Sequence, residues 1–304
     1  MEVSVNLCTL IEQFGSEDRC REYLEMLRWA DEVTCPRCES GKISKIVKRN
    51  QFDCDNCRYQ FSVTAGTAFN DSHLPLWKWF LATYLLCESR KGMSANQIKR
   101  TLGISYKTAW YLCHRIRHAM KEAHPELLDG IVEMDETYVG GKSIGKGTRG
   151  RSRKEKEVVI GIRQRGGPLR FFKAEDAKSG TLARYIKENI SGDVDVIMTD
   201  EFAAYRSAMV KAGISGRKHE TIRHKDGVYV DGLVSTNTIE SAFSLLERGI
   251  IGSWHKVSAK HLPAYLDEMT FRFNNRNNPF LFRDTMMRLL DAPVLEYKKL
   301  TAAA

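Results

Sequence analysis

The sequence lacks an apolar run long enough to cross a membrane, and its first residues lack the features of a secretory signal. The longest apolar stretch, residues 74–87, is interrupted by Lys78 and is shorter than the roughly 20 residues that a bilayer requires. Residues 1–14 carry acidic side chains where a signal peptide is basic, and they include no sustained apolar segment. These absences argue against a membrane or secreted protein and predict a cytoplasmic, nucleoid-associated one.

Acidic residues are fewer than basic residues. The chain has 38 Asp and Glu against 47 Lys and Arg, which gives a net charge of +9. Such an excess favours a polyanionic partner. The length of 304 residues, with 42% hydrophobic and 10% aromatic residues, is ordinary for globular proteins and suffices for two or three domains. The composition therefore predicts a folded, multidomain protein that binds a polyanion.

Four of the eight cysteines form two C-x2-C pairs separated by fifteen residues. In a reducing compartment, two such pairs close a tetrahedral thiolate site, and this spacing is typical of a structural zinc ribbon. A redox pair or four unrelated thiols are the alternatives. The predicted Zn²⁺ ligands are Cys35, Cys38, Cys54 and Cys57. The remaining cysteines have no partner at ligand spacing and are predicted to be buried core thiols: Cys8, Cys20, Cys87 and Cys113.

The segment after the cysteines predicts helices. Residues 75–90 read as an apolar helix led by Pro75, and a helix-turn-helix follows, with Ser94 and Ser105 as caps and a turn at Gly103. The second helix of this motif enters the major groove of DNA, whereas a plain helical hairpin with a charged, solvated face is the alternative. The residues predicted to be exposed on the second helix and to contact DNA are Tyr106, Lys107, Tyr111, Arg115 and Arg117.

The second half of the chain predicts elements in the order β-β-β-α-β-α. The first strand is "IVEMDETYVGG" at residues 131–141, and the next two form a hairpin around Gly166 and Gly167. This order is not a repeated βαβ wind, and it suits a mixed sheet of the ribonuclease H type. Residues 142–157 form a basic run rich in glycine and serine. Its predicted phosphate contacts are Lys142, Arg149 and Arg151.

Two acids are predicted to meet at this sheet. Asp135 lies midway along the first strand, and Asp200 follows the fourth strand, which starts beside the first. Neighbouring strands lie about 4.8 Å apart, so both carboxylates can share Mg²⁺ ions. A helix cap is the alternative for Asp200. Strand alternation puts Glu133 and Asp135 on one face and Glu136 on the other. Glu133 is expected to be solvated, and Glu136 to support the metal site or to contact DNA.

A third acidic position lies in a later predicted helix. Ser235 or Thr236 caps this helix, and the side chains at near-helical spacing along one face are Asn237, Glu240 and Glu247. A solvated helix face is the ordinary explanation of such spacing, and the spacing alone does not exclude it.

Three segments, "MDETYVGGK", "TDEFAAY" and the long run from "STNTIESAF" to "FNNR", resemble bacterial insertion-sequence transposases of the DDE class. The resemblance is to the zinc-ribbon group related to Merlin elements, and it covers about residues 15–280. It implies that Asp135 and Asp200 are the catalytic aspartates and that Glu240 or Asn237 completes the metal site, with Glu240 preferred. It also implies a DNA contact at Lys256.

The chain departs from the pattern of this family at three positions. Ser235 stands where the family usually has His, Phe243 where it has Trp, and Glu247 where it has Lys. The loss of that lysine favours a weakened enzyme. The predicted domains are an N-terminal helix with the ribbon (1–69), the helix-turn-helix (70–125), a ribonuclease H-like catalytic domain (128–278) and a helical tail (279–304).

The resemblance implies a specific activity. The protein would bind the terminal inverted repeats of an insertion sequence, cleave at the ends by hydrolysis that depends on Mg²⁺ or Mn²⁺, and join the 3′-hydroxyl ends to target DNA. Because two ends must be joined, a homodimer or larger assembly on double-stranded DNA is expected. The alternatives are a DNA-binding regulator derived from an inactive transposase and a ribonuclease H-like nuclease.

Overall fold

The structure is a computed structural model that describes residues 5–140, 156–222 and 235–302. The chain divides into two compact units, of which the first combines Met1–Lys121 with Asn275–Ala304 and the second is Glu122–Asn274. The segments predicted as ribbon, helix-turn-helix and tail thus belong largely to one unit. In the part of the chain described, no helix combines the length and the apolarity that a membrane span requires.

The first unit contains a small antiparallel sheet and a set of helices. Its described strands, in sheet order, are β1 (Ile43–Ile46), β2 (Gln51–Cys54) and β3 (Gln60–Phe61). Its described helices are α1 (Leu7–Phe14), α2 (Glu17–Arg28), α3 (Leu76–Glu88), α4 (Ala95–Leu102), α5 (Tyr106–Met120), α10 (Leu281–Asp291) and α11 (Tyr297–Thr301). Helix α10 packs on α2, α3 and α5, which places the end of the chain against the predicted DNA-binding helices.

Local signals in the sequence set the helix-turn-helix. Ser94 accepts a hydrogen bond of 3.1 Å from the backbone N–H of Gln97 and caps α4. Gly103 ends α4 with a φ of 60°, a conformation that favours glycine. Ser105 caps α5 by accepting 3.1 Å from the N–H of Thr108. These predicted caps and the predicted turn are confirmed.

The second unit is built on a five-stranded mixed sheet of order β6-β5-β4-β7-β8. Its strands are β4 (Ile131–Val139), β5 (Glu157–Gln164), β6 (Leu169–Ala174), β7 (Val196–Asp200) and β8 (His219–Ile222). Its helices are α6 (Ser179–Asn189), α7 (Ala203–Ala212), α8 (Asn237–Gly249) and α9 (Leu262–Asn274). Strand β5 is antiparallel to both neighbours, whereas β4, β7 and β8 run parallel. This is the topology of a ribonuclease H-like sheet, as predicted.

Both faces of the sheet are covered, so its central strand is buried on both sides. One core packs Val132 and Met134 of β4 against helices α6 and α7. The other packs the opposite face against α8 and α9, with Ile239 and Phe243 among its buried residues. Because side chains alternate along a strand, Glu133 and Asp135 point to the face that α8 covers. The acids of β4 therefore lie on the central strand and not at an edge, with Glu133 buried and Asp135 and Glu136 half-buried.

Candidate active site

The strand register places the two predicted catalytic aspartates at one level of the sheet. In the parallel pairing of β4 and β7, Glu133 lies opposite Met198. The observed pairing ends there; Asp135 on β4 and Asp200, the last residue of β7, each follow this pair by two residues, and the negative charge of Asp200 acts on Asp135. On the other side of β4, Asp135 pairs with Gly161 of β5. The topology thus brings together two acids that lie 65 residues apart in the sequence.

Asp135 lies in a strongly acidic environment. Burial and the neighbouring negative charges of Glu136, Asp200 and Glu240 raise the pKa of Asp135 to about 7. The three side chains of Asp135, Asp200 and Glu240 do not form a cluster whose ligand oxygens all lie within 4.8 Å; among the described residues only the ribbon cysteines form a cluster that tight. Carboxylate oxygens that repel one another suit a hard divalent cation, so the donor set fits Mg²⁺ or Mn²⁺.

Gly161 allows helix α8 to approach the sheet beside Asp135. A Cβ atom at this position would lie 2.7 Å from Cζ of Phe243 and 2.8 Å from Cδ1 of Ile239. Both contacts are shorter than real Cβ atoms show, so any larger residue here would force Phe243 and Ile239 to move. The close packing places the helix that carries Glu240 directly over the strand opposite Asp135.

The expectation that Glu133 is solvated is wrong. Its side chain is fully buried, and its carboxylate accepts hydrogen bonds from the backbone N–H groups of Thr238 and Ile239 in the first turn of α8. It also forms an ion pair with Arg165, at 2.7 Å from Nη2. The physical reason is that the carboxylate satisfies helix N–H groups that otherwise lack acceptors. The strand alternation already placed Glu133 on the face of Asp135, which was the signal for its burial.

The prediction that Ser235 or Thr236 caps α8 is confirmed for the position of the N-cap and wrong for the side-chain contact. Thr236 occupies the N-cap position, but its side chain makes no capping hydrogen bond. Its hydroxyl group instead donates to Oε1 of Glu240 at 2.8 Å. Glu133 supplies the cap from the sheet, and Thr236 is left to hold the third candidate ligand.

The acids beside the two aspartates also have defined partners. Oε2 of Glu136 accepts a hydrogen bond of 2.7 Å from the hydroxyl group of Tyr205, which is fully buried. Oδ1 of Asp200 accepts 2.9 Å from the backbone N–H of Phe202, just before α7. This contact resembles a helix cap, which was the alternative role predicted for Asp200. Sequence reasoning did not identify Tyr205, and no local pattern marks it.

The two candidates for the third position differ in their surroundings. Asn237 is exposed at the first residue of α8. Glu240 is half-buried, and its charge contributes to the raised pKa of Asp135. Glu247 is exposed two turns further along the helix. The surroundings therefore favour Glu240 over Asn237 as a partner of Asp135.

Helix α8 ends in an unusual turn. Residues Ile250–Trp254 form a wider helical turn, and His255 follows with φ 58° and ψ −56°. The N–H of Lys256 donates to the carbonyl of Trp254 at 2.7 Å, which closes a tight turn around His255. Trp254 is buried, whereas His255 and Lys256 are exposed. Lys256 is thus accessible for the predicted DNA contact.

The four ribbon cysteines converge as a metal site requires. Their Sγ atoms all lie within 4.8 Å of one another, and the pairs Cys35–Cys57 and Cys38–Cys54 are 3.6 Å apart. A tetrahedral zinc with Zn–S bonds of about 2.3 Å needs S···S distances of about 3.8 Å. Hydrogen bonds from the Ser40 backbone and the Asn56 side chain lower the pKa of the Cys38 thiol to about 6, which favours a thiolate ligand. The residues fit structural Zn²⁺.

Two of the predicted DNA-contacting residues are not exposed. Arg115 and Arg117 of α5 are 3% and 1% exposed, so the prediction that they face solvent is wrong. The guanidinium of Arg115 lies 5.0 Å from the ring centre of Trp79 and donates to the carbonyl of Asn70. These contacts within the first unit explain its burial. We therefore remove both arginines from the candidate DNA interface.

The remaining candidates on α5 lie next to the C-terminal helix. Tyr106 and Lys107 are exposed, and Nζ of Lys107 lies 4.6 Å from the ring centre of Tyr297 in α11. Tyr111 is half-buried, and its hydroxyl group donates to the carbonyl of Leu295. The end of the chain therefore covers one side of the helix predicted to read DNA.

Some predictions lie outside the described residues or need correction. Lys142, Arg149 and Arg151 fall in residues 141–155, which the structure does not describe. Cys20, Cys87 and Cys113 are buried as predicted. Cys8 is exposed, so its assignment as a core thiol is wrong. It lies at the start of α1, on a side that faces solvent.

Comparison with known proteins agrees with this arrangement of ribbon and sheet. Residues 127–274 match the family described as ISXO2-like transposase domain, and residues 15–60 match the transposase zinc-ribbon domain. A protein in transposable element ISH50 of Halobacterium salinarum is 31% identical over 279 residues, covering 86% of this chain and 92% of the relative. The chain therefore belongs to the IS1595 family of zinc-ribbon transposases.

Two solved structures show a weaker likeness. The Mos1 strand transfer complex has a TM-score of 0.29 and 11% identity, covering 70% of this chain and 75% of that chain. A pre-cleavage Mos1 transpososome has a TM-score of 0.23 and 12% identity, covering 71% and 79%. With scores this low, the fold assignment rests on the strand order described above.

Proposed function

We propose that the protein is a DNA transposase of the DDE type that cleaves DNA at the ends of its mobile element and joins those ends to target DNA. The observation that supports the proposal is that Asp135 and Asp200 lie on paired strands and that the charges of Asp200 and Glu240 both act on the carboxyl group of Asp135. Family membership supports this reaction class.

Asp135, Asp200 and Glu240 would hold the divalent cations, Mg²⁺ or Mn²⁺. When bound, such ions activate the attacking oxygen and stabilise the leaving oxygen in phosphoryl transfer. The chain itself fixes the carboxylates: the sheet aligns the two aspartates, Thr236 orients Glu240, and the N–H of Phe202 orients Asp200. Acids held in place lose little freedom when they bind metal and substrate, which favours catalysis.

The ribbon and the helix-turn-helix would recognise the terminal inverted repeats. Tyr106 and Lys107 are exposed on α5, and Lys256 is exposed beyond α8, so each is available to a DNA duplex. We propose these residues as contacts, together with Tyr111 through the exposed part of its side chain. Lys142, Arg149 and Arg151 stay candidates from the sequence. Two ends must be joined in one reaction, which calls for a dimer or larger assembly on DNA.

The test uses labelled duplexes that carry the DNA flanking the gene, with purified protein and Mg²⁺ or Mn²⁺. We expect cleavage at the element ends and transfer of the 3′-hydroxyl into a second duplex. Asp135→Asn, Asp200→Asn and Glu240→Gln should each reduce cleavage at least about 100-fold, while Glu247→Gln, a matched control on the exposed face of α8, should not. End cleavage that persists in Asp135→Asn would rule out the assignment of this residue.

The two alternative functions, a nuclease and a DNA-binding regulator, predict different outcomes in the same assay. Cleavage without transfer into the second duplex would indicate a nuclease. Binding to the flanking DNA with no cleavage, by a folded protein loaded with zinc and supplied with Mn²⁺, would indicate a regulator. Replacing Asn237 by Ala separates the two candidates for the third position, because we expect this variant to retain cleavage.

A further inference from the structure

We propose that Glu133 is a positioning residue that, together with Arg163 and Arg165, sets the first turn of α8 and thereby the place of Glu240 beside the two aspartates. The inference rests on the proposed function, because it gives Glu133 a role at the metal site formed by those acids. It concerns a residue that would not itself touch the metal.

The two oxygens of Glu133 have separate partners. Oε2 accepts hydrogen bonds from the N–H of Thr238 at 3.0 Å, from the N–H of Ile239 at 2.9 Å and from the Thr238 hydroxyl at 2.7 Å. Oε1 accepts from Nε and Nη2 of Arg165 at 3.0 and 2.7 Å. One oxygen thus holds the helix, and the other is neutralised by the guanidinium. With all of these partners, a fully buried carboxylate is well satisfied.

The two arginines hold the carbonyl groups of the same turn. Nη2 of Arg165 lies 3.0 Å from both the carbonyl and the hydroxyl oxygen of Ser235, just before α8. Nη1 of Arg163 donates to the carbonyl of Thr238 at 2.6 Å. Arg163 lies directly opposite Glu133 in the pairing of β4 with β5. Both donors and acceptors at the start of α8 are therefore held by side chains from β4, from β5 and from the residue that follows β5.

This hydrogen-bond network links the strand that carries Asp135 to the helix that carries Glu240. Glu133 and Asp135 lie two residues apart on one face of β4, and Glu240 follows the anchored Ile239 directly in the chain. The strand that carries the first candidate ligand therefore also carries the anchor of the helix that presents the third. Thr236, the residue at the N-cap, donates its hydroxyl hydrogen bond to Glu240, while Glu133 accepts from the N–H groups of the first turn.

The experiment measures Mn²⁺ binding to the full-length, zinc-loaded protein at fixed pH, by calorimetry and by the electron paramagnetic resonance of free Mn²⁺. We expect the wild type to bind Mn²⁺ and Asp135→Asn to lose this binding. Glu133→Gln should bind Mn²⁺ about 10-fold more weakly or worse, as for other residues that orient metal ligands. A ligand held in the wrong place costs affinity even when its own carboxylate is intact.

The matched control is Glu268→Gln. Glu268 is also fully buried and forms an ion pair with Arg272 at 3.1 Å, in helix α9 of the same unit. The same chemical change there removes a comparable buried charge without touching the first turn of α8. Its Mn²⁺ affinity should equal that of the wild type, which separates positioning from a general loss of stability.

A milder pair of variants decides the matter if Glu133→Gln does not fold. Thr238→Ala removes the hydroxyl group that donates to Glu133 together with a methyl group, and we expect weaker Mn²⁺ binding. Thr238→Ser keeps the hydroxyl group and should restore the affinity. Equal affinity in the wild type and Thr238→Ala would overturn the inference.

The remaining outcomes distinguish the inference from the proposed function. If Asp135→Asn abolishes Mn²⁺ binding but a folded Glu133→Gln binds like the wild type, the positioning role is wrong and the proposed function stands. If the wild type shows no Mn²⁺ binding that depends on Asp135, the proposed metal site itself is wrong, and the inference fails with it.

Discussion

The hydroxyl group of Tyr205 in α7 donates a 2.7 Å hydrogen bond to Oε2 of Glu136, the residue after Asp135 on β4. Burial and the nearby charge of Glu136 raise the pKa of Tyr205 well above its ordinary value, so the phenol keeps its proton. This bond ties α7, which follows Asp200, to the strand that carries Asp135. It therefore links the two elements on which the candidate metal ligands lie.

Replacing Tyr205 by Phe should lower the free energy of unfolding by about 1.5–3 kcal/mol, since a buried hydrogen bond to a charged group is lost. Urea unfolding measures this change. The control is Tyr185→Phe, whose hydroxyl group donates to the neutral carbonyl of Lys173 at 3.2 Å. That variant should lose only about 0.5–1.5 kcal/mol. Equal losses in the two variants would argue against the special role of the bond to Glu136.

Gly161→Ala should push α8 away from the sheet. The new methyl group would collide with Phe243 and Ile239, and overpacking of this kind costs about 1–3 kcal/mol of stability. Because α8 carries Glu240, Mn²⁺ binding should weaken as well. Gly180→Ala in α6 is the control, since a Cβ atom there meets nothing within 4 Å. It should be neutral or stabilising by up to about 1 kcal/mol. Unchanged metal affinity in Gly161→Ala would contradict the packing argument.

Stability without divalent cations should fall as the pH rises. The pKa of Asp135 is about 7 in the folded protein, against 3.8 as its ordinary value, so the folded state binds this proton more tightly. Its contribution is fully present below pH 3.8 and is lost as the pH rises towards 7. Asp135→Asn should remove this dependence and raise stability at pH 8 by about 2–4 kcal/mol.

The pH prediction is checked by chemical unfolding of both proteins from pH 4 to pH 8 in a chelator too weak to remove the ribbon zinc. Adding Mn²⁺ should stabilise the wild type at high pH and leave Asp135→Asn unaffected. A wild-type profile parallel to that of Asp135→Asn would show that the carboxyl group is not perturbed.

Removing zinc should unfold the ribbon. Cys35, Cys38, Cys54 and Cys57 would hold the ribbon around the metal as thiolates, and structural zinc contributes its binding energy directly to folding. Cys38→Ser should release zinc and lose the amide resonances of residues 35–57, as measured by a zinc dye and by NMR. Cys8→Ser, at an exposed cysteine outside the cluster, should retain one zinc per chain. Zinc retained in Cys38→Ser would overturn the ligand assignment.

Replacing Arg115 should lower stability, whereas replacing Lys107 should weaken DNA binding. Arg115→Ala removes a buried guanidinium and its contact with Trp79, so it should lower stability by about 2–3 kcal/mol. Lys107→Ala should leave the melting temperature unchanged and weaken DNA binding, with the salt dependence reduced by about one phosphate contact. Thermal unfolding and fluorescence anisotropy at several salt concentrations test both. A destabilised Lys107→Ala would indicate that its contact with Tyr297 is structural.

Much of the fold could be predicted because its signals are local. Ser94, Gly103 and Ser105 act within three or four residues, and the strand alternation of β4 is visible in the sequence. The burial of Arg115 could not be predicted from helical spacing, because distant segments, including α10, also pack against α5. A helix covered on several sides does not show one polar face.

The candidate site was predictable in part. The element order placed Asp135 and Asp200 on neighbouring strands, whereas the choice of Glu240 came from the family resemblance. The role of Glu133 could not be predicted, because its partners in α8 lie more than 100 residues away in the chain. An acid in a strand shows that something must balance its charge, but the sequence does not show what.

The capping of α8 by Glu133 also affects amide hydrogen exchange in the first turn of this helix. Amides in the first turn of a helix usually exchange with solvent quickly, because they have no acceptor within the helix. Here the amide of Ile239 is held by Glu133, which precedes it by 106 residues and lies on the central strand. Its exchange therefore requires the separation of α8 from the sheet rather than fraying of the helix end. Hydrogen exchange at Thr238 and Ile239 should consequently report the opening of the whole α8 face of the unit.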